Sequence, residues 1–270
     1  MRRVVGVAAA LILLPGPTGC AKRPEPPPVS GFVGVGLLSG HEAMVRVATE
    51  TDQVRSYAFD IEMVGGFRAR GNGEVRRFPR YALRTELAEV PSALGKSPWS
   101  RVRLVIVDGM AYEWLPKGER TSSKPWLSVP VDEYNDAATT DPARPSLPFP
   151  QSDPFAVSRF QADFGVVTRA GEEELDGVPT VLYRAVLDRT RAGLRFDDPR
   201  VKEAFEYDSA TSSYVTWLWV DGQDLLRKAV IRAVMPDGEE VTITVVFRDY
   251  GKRVVVKAPA RQQVEAYRSG

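Results

Sequence analysis

The stretch from Tyr214 to Tyr250, YVTWLWVDGQDLLRKAVIRAVMPDGEEVTITVVFRDY, constrains the fold more than any other part of the chain. Val215, Trp217 and Trp219 alternate with Thr216, Leu218 and Val220. Ala229, Ile231 and Ala233 alternate with Lys228, Val230 and Arg232, and Val241, Ile243, Val245 and Phe247 alternate with Thr242, Thr244, Val246 and Arg248. Strand side chains point to opposite faces every second residue, so this is three antiparallel strands with one apolar and one wetter face. Turns fall at Asp221-Gly222 and Asp237-Gly238. Such a sheet needs cover on one side.

A chain of 270 residues is long enough for a substantial core. Its formal net charge is +1, and falls by two, to about −1, when Arg2 and Arg3 leave with a signal peptide. That balance gives no electrostatic case for nucleic acid. The single cysteine excludes an intrachain disulfide framework, and the single histidine excludes a multi-histidine metal site within one chain.

Arg2 and Arg3 precede an apolar run, Val4 to Leu14, followed by Pro15, Gly16, Pro17, Thr18, Gly19 and Cys20. A basic start, a run too short to span a bilayer, and small residues before a cut site describe a secretory signal over 1–19. Residues 20–38 carry Pro24, Pro26, Pro27, Pro28 and several glycines, and read as a tether too poor in apolar surface to order itself. GFVGVG at 31–36 lacks both a preceding strand and a following Gly-Lys-Ser/Thr, so it is linker and not a phosphate loop.

Ser39 followed by Glu42 is a capping-box pattern, and Met44, Val47, Ala48 and Thr51 recur at helical spacing, which predicts a helix covering the sheet. His41 falls in its first turn with no partner for catalysis. Tyr57, Phe59, Ile61 and Met63 mark a half-buried strand turning at Gly65-Gly66. In the next strand Ala69, Gly71, Gly73 and Val75 oppose a charged face of Arg68, Arg70, Glu74 and Arg76. Small inward residues either leave volume beneath the helix or permit a bulge or strong curvature. Strand follows strand through Tyr81 to Leu87, Arg101 to Val107, Met110 to Leu115 and Trp126 to Val129, the pattern of an antiparallel meander.

Residues 136–154 are a long Pro- and Ala-rich loop, and Asp153-Pro154 starts a second helix with Phe155, Val157, Phe160 and Phe164 as its apolar side. Strands resume over 166–174 and 181–187. Between Asp188 and Ser213 lies an insertion in which Asp198-Pro199 starts a short helix, a candidate lid. Residues 252–257 read as a short edge strand, and the tail 261–270 as an exposed helical turn or frayed.

Taken together these pieces resemble the actinobacterial lipoproteins of the LppX/LprAFG group, which share the fold of the LolA and LolB lipoprotein carriers. The residues that carry the resemblance are Thr18-Gly19-Cys20, which is similar to a lipobox except for Pro17, and Asp108-Gly109 with Tyr112 ahead of Trp126 to Val129. Gly171 to Val178, Trp219 to Gly222 leading to Arg227, and Phe247 to Gly251 before Val254 to Pro259 complete it. The resemblance implies an α+β fold: a strongly curved antiparallel half-barrel over 39–260, covered on its concave face by helices. It also implies a lipidated Cys20 at the outer face of the cell membrane and a cavity for an acylated lipid or glycolipid.

The residues expected to face that ligand are Met44 and Val47 from the helix; Phe59, Ile61, Met63, Val75 and Leu83 from the first strands; and Trp217, Trp219, Ile231 and Val245 from the last. No metal, cofactor or catalytic residue is expected, since a nucleophile and base are missing and Glu172-Glu173-Glu174 and Asp197-Asp198 read as solvated turns or caps. The alternative is a membrane-anchored sensor or regulatory module that uses the same fold to bind lipid, an envelope transporter or a regulatory protein partner.

Overall fold

The computed structural model describes residues 39–65, 68–89, 101–118, 120, 122–131, 158, 161–163, 165–187, 213–234 and 240–267. The signal and tether, Cys20, most of the second helix, the loop 136–154 and the insertion after Asp188 lie outside these residues. One helix, α1 (Gly40–Gln53), precedes a first run of strands: β1 (Ser56–Val64), β2 (Arg68–Arg76), β3 (Ala82–Glu89), β4 (Arg101–Val107), β5 (Met110–Trp114) and β6 (Trp126–Pro130). A second run comprises β7 (Gly165–Leu175), β8 (Val178–Leu187), β9 (Ser213–Asp221), β10 (Leu226–Val234) and β11 (Glu240–Arg248), and β12 (Val264–Ala266) is the last strand among the described residues. Ser158 and residues 161–163 are helical.

All twelve strands form one open sheet in the order β12-β6-β5-β4-β3-β2-β1-β11-β10-β9-β8-β7. Two antiparallel meanders therefore meet where β1 pairs with β11, Phe59 opposite Phe247 and Ile61 opposite Val245. This is the expected curved half-barrel. At one end of the sheet, the turn end, neighbouring strands are joined by short connections. Asp108-Gly109 and Asp176-Gly177 have positive φ at both residues, the geometry that matches strand twist in a tight hairpin. At the opposite, open end, the connections over 90–100 and 188–212 are longer.

The expected turn at Asp221-Gly222 is present and spans the four residues 222–225. The buried Asp221 carboxylate accepts from the backbone N–H of Gln223 (2.8 Å) and Leu225 (3.0 Å) and from Arg227 Nε (2.6 Å). This holds a longer loop in which Asp224 takes φ +57°, and the β9–β10 register shifts between Leu226 and Lys228.

The two faces differ sharply. One carries the main core, from Val129 on β6 through Leu104, Leu83, Val75, Phe59, Val245, Ala229 and Leu218 to Ala185 on β8. The other carries cross-strand ion pairs: Glu62 with Arg70 (2.8 Å), Glu74 with Arg84 (2.7 Å), Glu86 with Arg103 (3.0 Å), and Asp60 with both Nε and Nη2 of Arg248 (2.8 and 3.0 Å). Pairs this exposed stabilise by about 0–1 kcal/mol each. Their larger effect is on register, since a slip of one residue would bury them.

Residues 252–257 are not an edge strand. Beyond Gly251, Val254 and Val256 pack on Val105, Val107 and Ala82, an apolar patch on the outer face of β3 and β4 beside Tyr112 and Trp126. Their period-two pattern is real, but it docks on side chains instead of pairing with a strand. The tail begins with the expected exposed helical turn, a 3-10 turn at Arg261–Gln263, and continues as β12, which pairs in parallel with β6.

The small residues of β2 have a specific cause. Gly73 lies opposite Phe59, and a Cβ there would stand 2.4 Å from the Phe59 ring and 2.9 Å from the Arg84 carbonyl oxygen. The ring occupies the space the glycine leaves, so the volume expected there is filled at this position. Gly73→Ala is expected to destabilise by about 1–3 kcal/mol through overpacking, and by less in a Phe59→Leu background. Urea denaturation of the double-mutant cycle measures this; additive effects would disprove the contact.

Candidate ligand-binding face

The apolar face is built by strand parity. Tyr57, Phe59, Ile61 and Met63 on β1 face the same way as Phe247, Val245 and Ile243, which lie opposite the last three. Val245 and Ile243 in turn stand opposite Ala229 and Ile231 of β10, and those stand opposite Leu218 and Thr216 of β9. On the other side, Tyr57 is opposite Val75, Val75 opposite Leu83, and Leu83 opposite Ile106.

Cover comes from α1. The capping box forms in full: Ser39 Oγ accepts from the Glu42 N–H (3.3 Å), while the Glu42 carboxylate accepts from the Ser39 N–H (2.9 Å). Ala43, Met44, Val47, Ala48 and Thr51 are buried against the sheet. Three contacts fix the helix. Its first residue is pressed so close to β7 that a Cβ on Gly40 would stand 2.1 Å from the Val167 carbonyl oxygen. Arg46 pairs with Asp224 in the β9–β10 loop. Arg77, after β2, donates to the Thr51 carbonyl oxygen and lies 3.3 Å from Asp52, placing a cation at the helix C-terminus.

Met44, Val47, Phe59, Ile61, Met63, Val75, Leu83, Ile231 and Val245 belong to one apolar assembly on this face. Trp217 and Trp219 do not; they stand on the outer face. Trp219, 4% exposed, donates from Nε1 to Glu173 (2.6 Å) and lies under Lys228 Nζ, 4.5 Å from the ring centroid, while Arg232 sits 5.3 Å over Trp217. Both were expected among the inward strand positions. Pairing decides otherwise, because the odd positions of β9 meet the even positions of β10, where Lys228 and Arg232 must stay wet. Cation–π contacts and an N–H partner make the outer site favourable for tryptophan.

Sequence reasoning missed Leu104, Ile106, Leu218 and Phe247, all buried on the inner face. For Leu218 the signal was its place opposite Ala229. For Leu104 and Ile106 no such signal existed, because Val105 and Val107 are equally apolar and are covered by the C-terminal segment.

Two polar features interrupt the face. Glu113 is buried on β5 opposite Leu104. Gln161, from the helical segment before β7, donates from Nε2 to Thr216 Oγ1 at 3.1 Å, both residues being buried. Leu87, Ile231 and Val241 are only partly buried, and all three lie toward the open end. Among the described residues there is no cluster of metal-ligating side chains and no helix long and apolar enough to cross a membrane.

The predominantly antiparallel open sheet with one apolar face under a helix is a curved half-barrel. Among solved structures the chain is similar to the lipoprotein LppX of Mycobacterium tuberculosis, with 13% identity and a TM-score of 0.49 over 80% of this chain and 97% of that one. It is similar to LprF of Mycobacterium bovis, with 15% identity and a TM-score of 0.49 over 82% and 97%. It is also similar to MucB of Pseudomonas aeruginosa in complex with MucA, with 16% identity and a TM-score of 0.38 over 83% and 59%. No protein-family model and no curated protein matches the sequence.

The helix cap gives a pH-dependent prediction. Hydrogen bonds from the Ser39 backbone and then its hydroxyl hold the Glu42 carboxyl below its usual range, against the opposing effect of burial and with help from His41. A depressed folded-state pKa stabilises above the unfolded value, about 4.3 for glutamate, and that contribution is lost as pH falls through the folded value. In urea titrations, wild type is therefore expected to lose its advantage over Glu42→Gln as pH drops below about 4. A constant difference across that range would disprove the linkage.

Proposed function

We propose that this chain is an exported envelope lipoprotein, anchored through Cys20 at the outer face of the cell membrane, which binds an acylated lipid or glycolipid in a cavity on the apolar face of its sheet and carries or chaperones it. The observation that carries the reading is the mismatch between that face and its cover. α1 is held at the turn end by Arg46 to the β9–β10 loop and by Arg77 after β2, while its first residue, Gly40, meets Val167 of β7 level with Ile231. Toward the open end of the apolar face Leu87, Ile231 and Val241 remain partly exposed. An acyl chain laid along these positions loses water without metal or covalent chemistry, at about 0.8 kcal/mol for each buried methylene. Gln161 with Thr216 and Glu113 are polar points at which the non-acyl part of a ligand can be oriented. The membrane-anchored sensor with a protein partner makes a different demand, since it needs no lipid on this face.

Native mass spectrometry with lipid extraction, on the chain from Ala21 purified from a related bacterium, separates these. One lipid per chain is expected, with occupancy falling severalfold in Ile231→Gln at unchanged circular dichroism. Lipid-free protein that also fails to take up fluorescent acyl probes would overturn the carrier reading and direct attention to protein partners.

A further inference from the structure

The turn end of the sheet carries a second feature that ligand binding leaves unused. The connection between β2 and β3 runs Arg77-Phe78-Pro79-Arg80-Tyr81, and Phe78 at its apex is 53% exposed, whereas Tyr81 three residues on packs against the core. The loop is fixed by hydrogen bonds: Arg77 N–H donates to the Arg55 carbonyl oxygen (2.8 Å), and Arg76 Nε donates to that of Arg80 (3.2 Å). The turn after β11 lies alongside, with the Gly251 N–H donating to the Ser56 carbonyl oxygen (2.9 Å) and Ser56 Oγ to that of Lys252 (2.6 Å).

These connections place Arg55, Arg76, Arg77, Arg80, Lys252 and Arg253 at the same end of the sheet as the exposed Phe78 ring. The neighbouring carboxylates are fewer: Asp52 beside Arg77, Asp108 at 4.0 Å from Arg80, and Asp249 at 3.2 Å from Lys252. Arg77 is engaged by α1, whereas the Arg80 side chain is 79% exposed and Arg55 and Arg253 are exposed. Six cations against three carboxylates leave a positive excess at the tip of a braced loop that presents an apolar ring to water.

From this geometry we infer that the turn end is a docking foot for an anionic lipid surface, with Phe78 entering the headgroup layer and Arg55, Arg80, Lys252 and Arg253 facing lipid phosphates. Charge complementarity selects the occupant, and the aromatic ring suits the interface, where one side is apolar and the other wet. Reach is sufficient: residues 21–38 separate Cys20 from the helix cap, a span of about 25 Å as a flexible coil and about 55 Å as extended polyproline. The foot does not depend on any ligand on the apolar face, and its failure would leave that reading untouched.

Vesicle co-sedimentation tests it, using the chain from Ala21, which contains every described residue and no acyl group. Binding to phosphatidylglycerol-containing vesicles is expected to exceed binding to pure phosphatidylcholine by about tenfold or more and to weaken with salt. Arg80→Glu with Arg253→Glu is expected to abolish that preference. Phe78→Ser is expected to lower binding severalfold while leaving its salt dependence unchanged. The same charge change at the open end, Arg101→Glu with Arg184→Glu, is expected to have little effect, and thermal melts report whether each variant folds. Equal binding to both vesicle types, no binding to either, or equal losses in the two double variants would overturn the inference.

Discussion

The pairing of β1 with β11 holds the architecture together. Ala58 to Val64 hydrogen-bond in register with Thr242 to Arg248, joining the first strand of the chain to its last long one. Without this seam there would be two separate meanders, each with an exposed edge, and no face wide enough to hold the core. With it, Phe59 and Phe247 stand opposite each other at the centre of the sheet, and Tyr57 approaches Phe247 edge-on at 5.9 Å between ring centroids. The longest-range pairing in the chain is thus also among its most apolar, and burial there must offset the entropy of closing so large a loop.

Around the seam, the two faces are kept distinct by different means. On the inner face α1 is fixed at both ends and in the middle, by backbone contact at Gly40 and ionic contacts from Arg46 and Arg77. On the outer face, charge pairs cross from strand to strand, and the apolar patch over Val105 and Val107 is hidden by the C-terminal segment. That segment begins at Tyr250, whose hydroxyl donates to the Leu226 carbonyl oxygen and whose ring lies 5.0 Å below Arg227. Burial pushes the Tyr250 hydroxyl well above its ordinary pKa, with Arg227 acting in the opposite direction. At neutral pH it is an uncharged hydrogen-bond donor.

The strand content, the cap of α1 and most of the inner face were legible because period-two alternation and a capping box are local signals. Phe59, Ile61, Met63 and Val245 could be assigned because their neighbours in sequence are polar. β9 was harder: Leu218 and Val220 are as apolar as Trp217 and Trp219, so alternation alone does not say which parity faces inward. The paired strand decides it, because Lys228 and Arg232 occupy the positions that meet the tryptophan parity. The C-terminal segment was misassigned for a related reason, since Val254 and Val256 alternate like strand residues and nothing local tells whether such a segment pairs or packs. The β1–β11 seam itself left no local signature; it depends on which of several similar edges meet.

That seam also sets the order in which the fold can be completed. A chain delivered N-terminus first presents β1 to β6 while β11 is still more than a hundred residues from emerging, so the first meander waits with β1 as a bare, apolar edge. Such an edge is a template for pairing with other chains, and late closure prolongs its exposure. The architecture therefore carries a built-in dependence on whatever shields nascent strands during delivery, and that dependence lasts until Phe247 reaches Phe59.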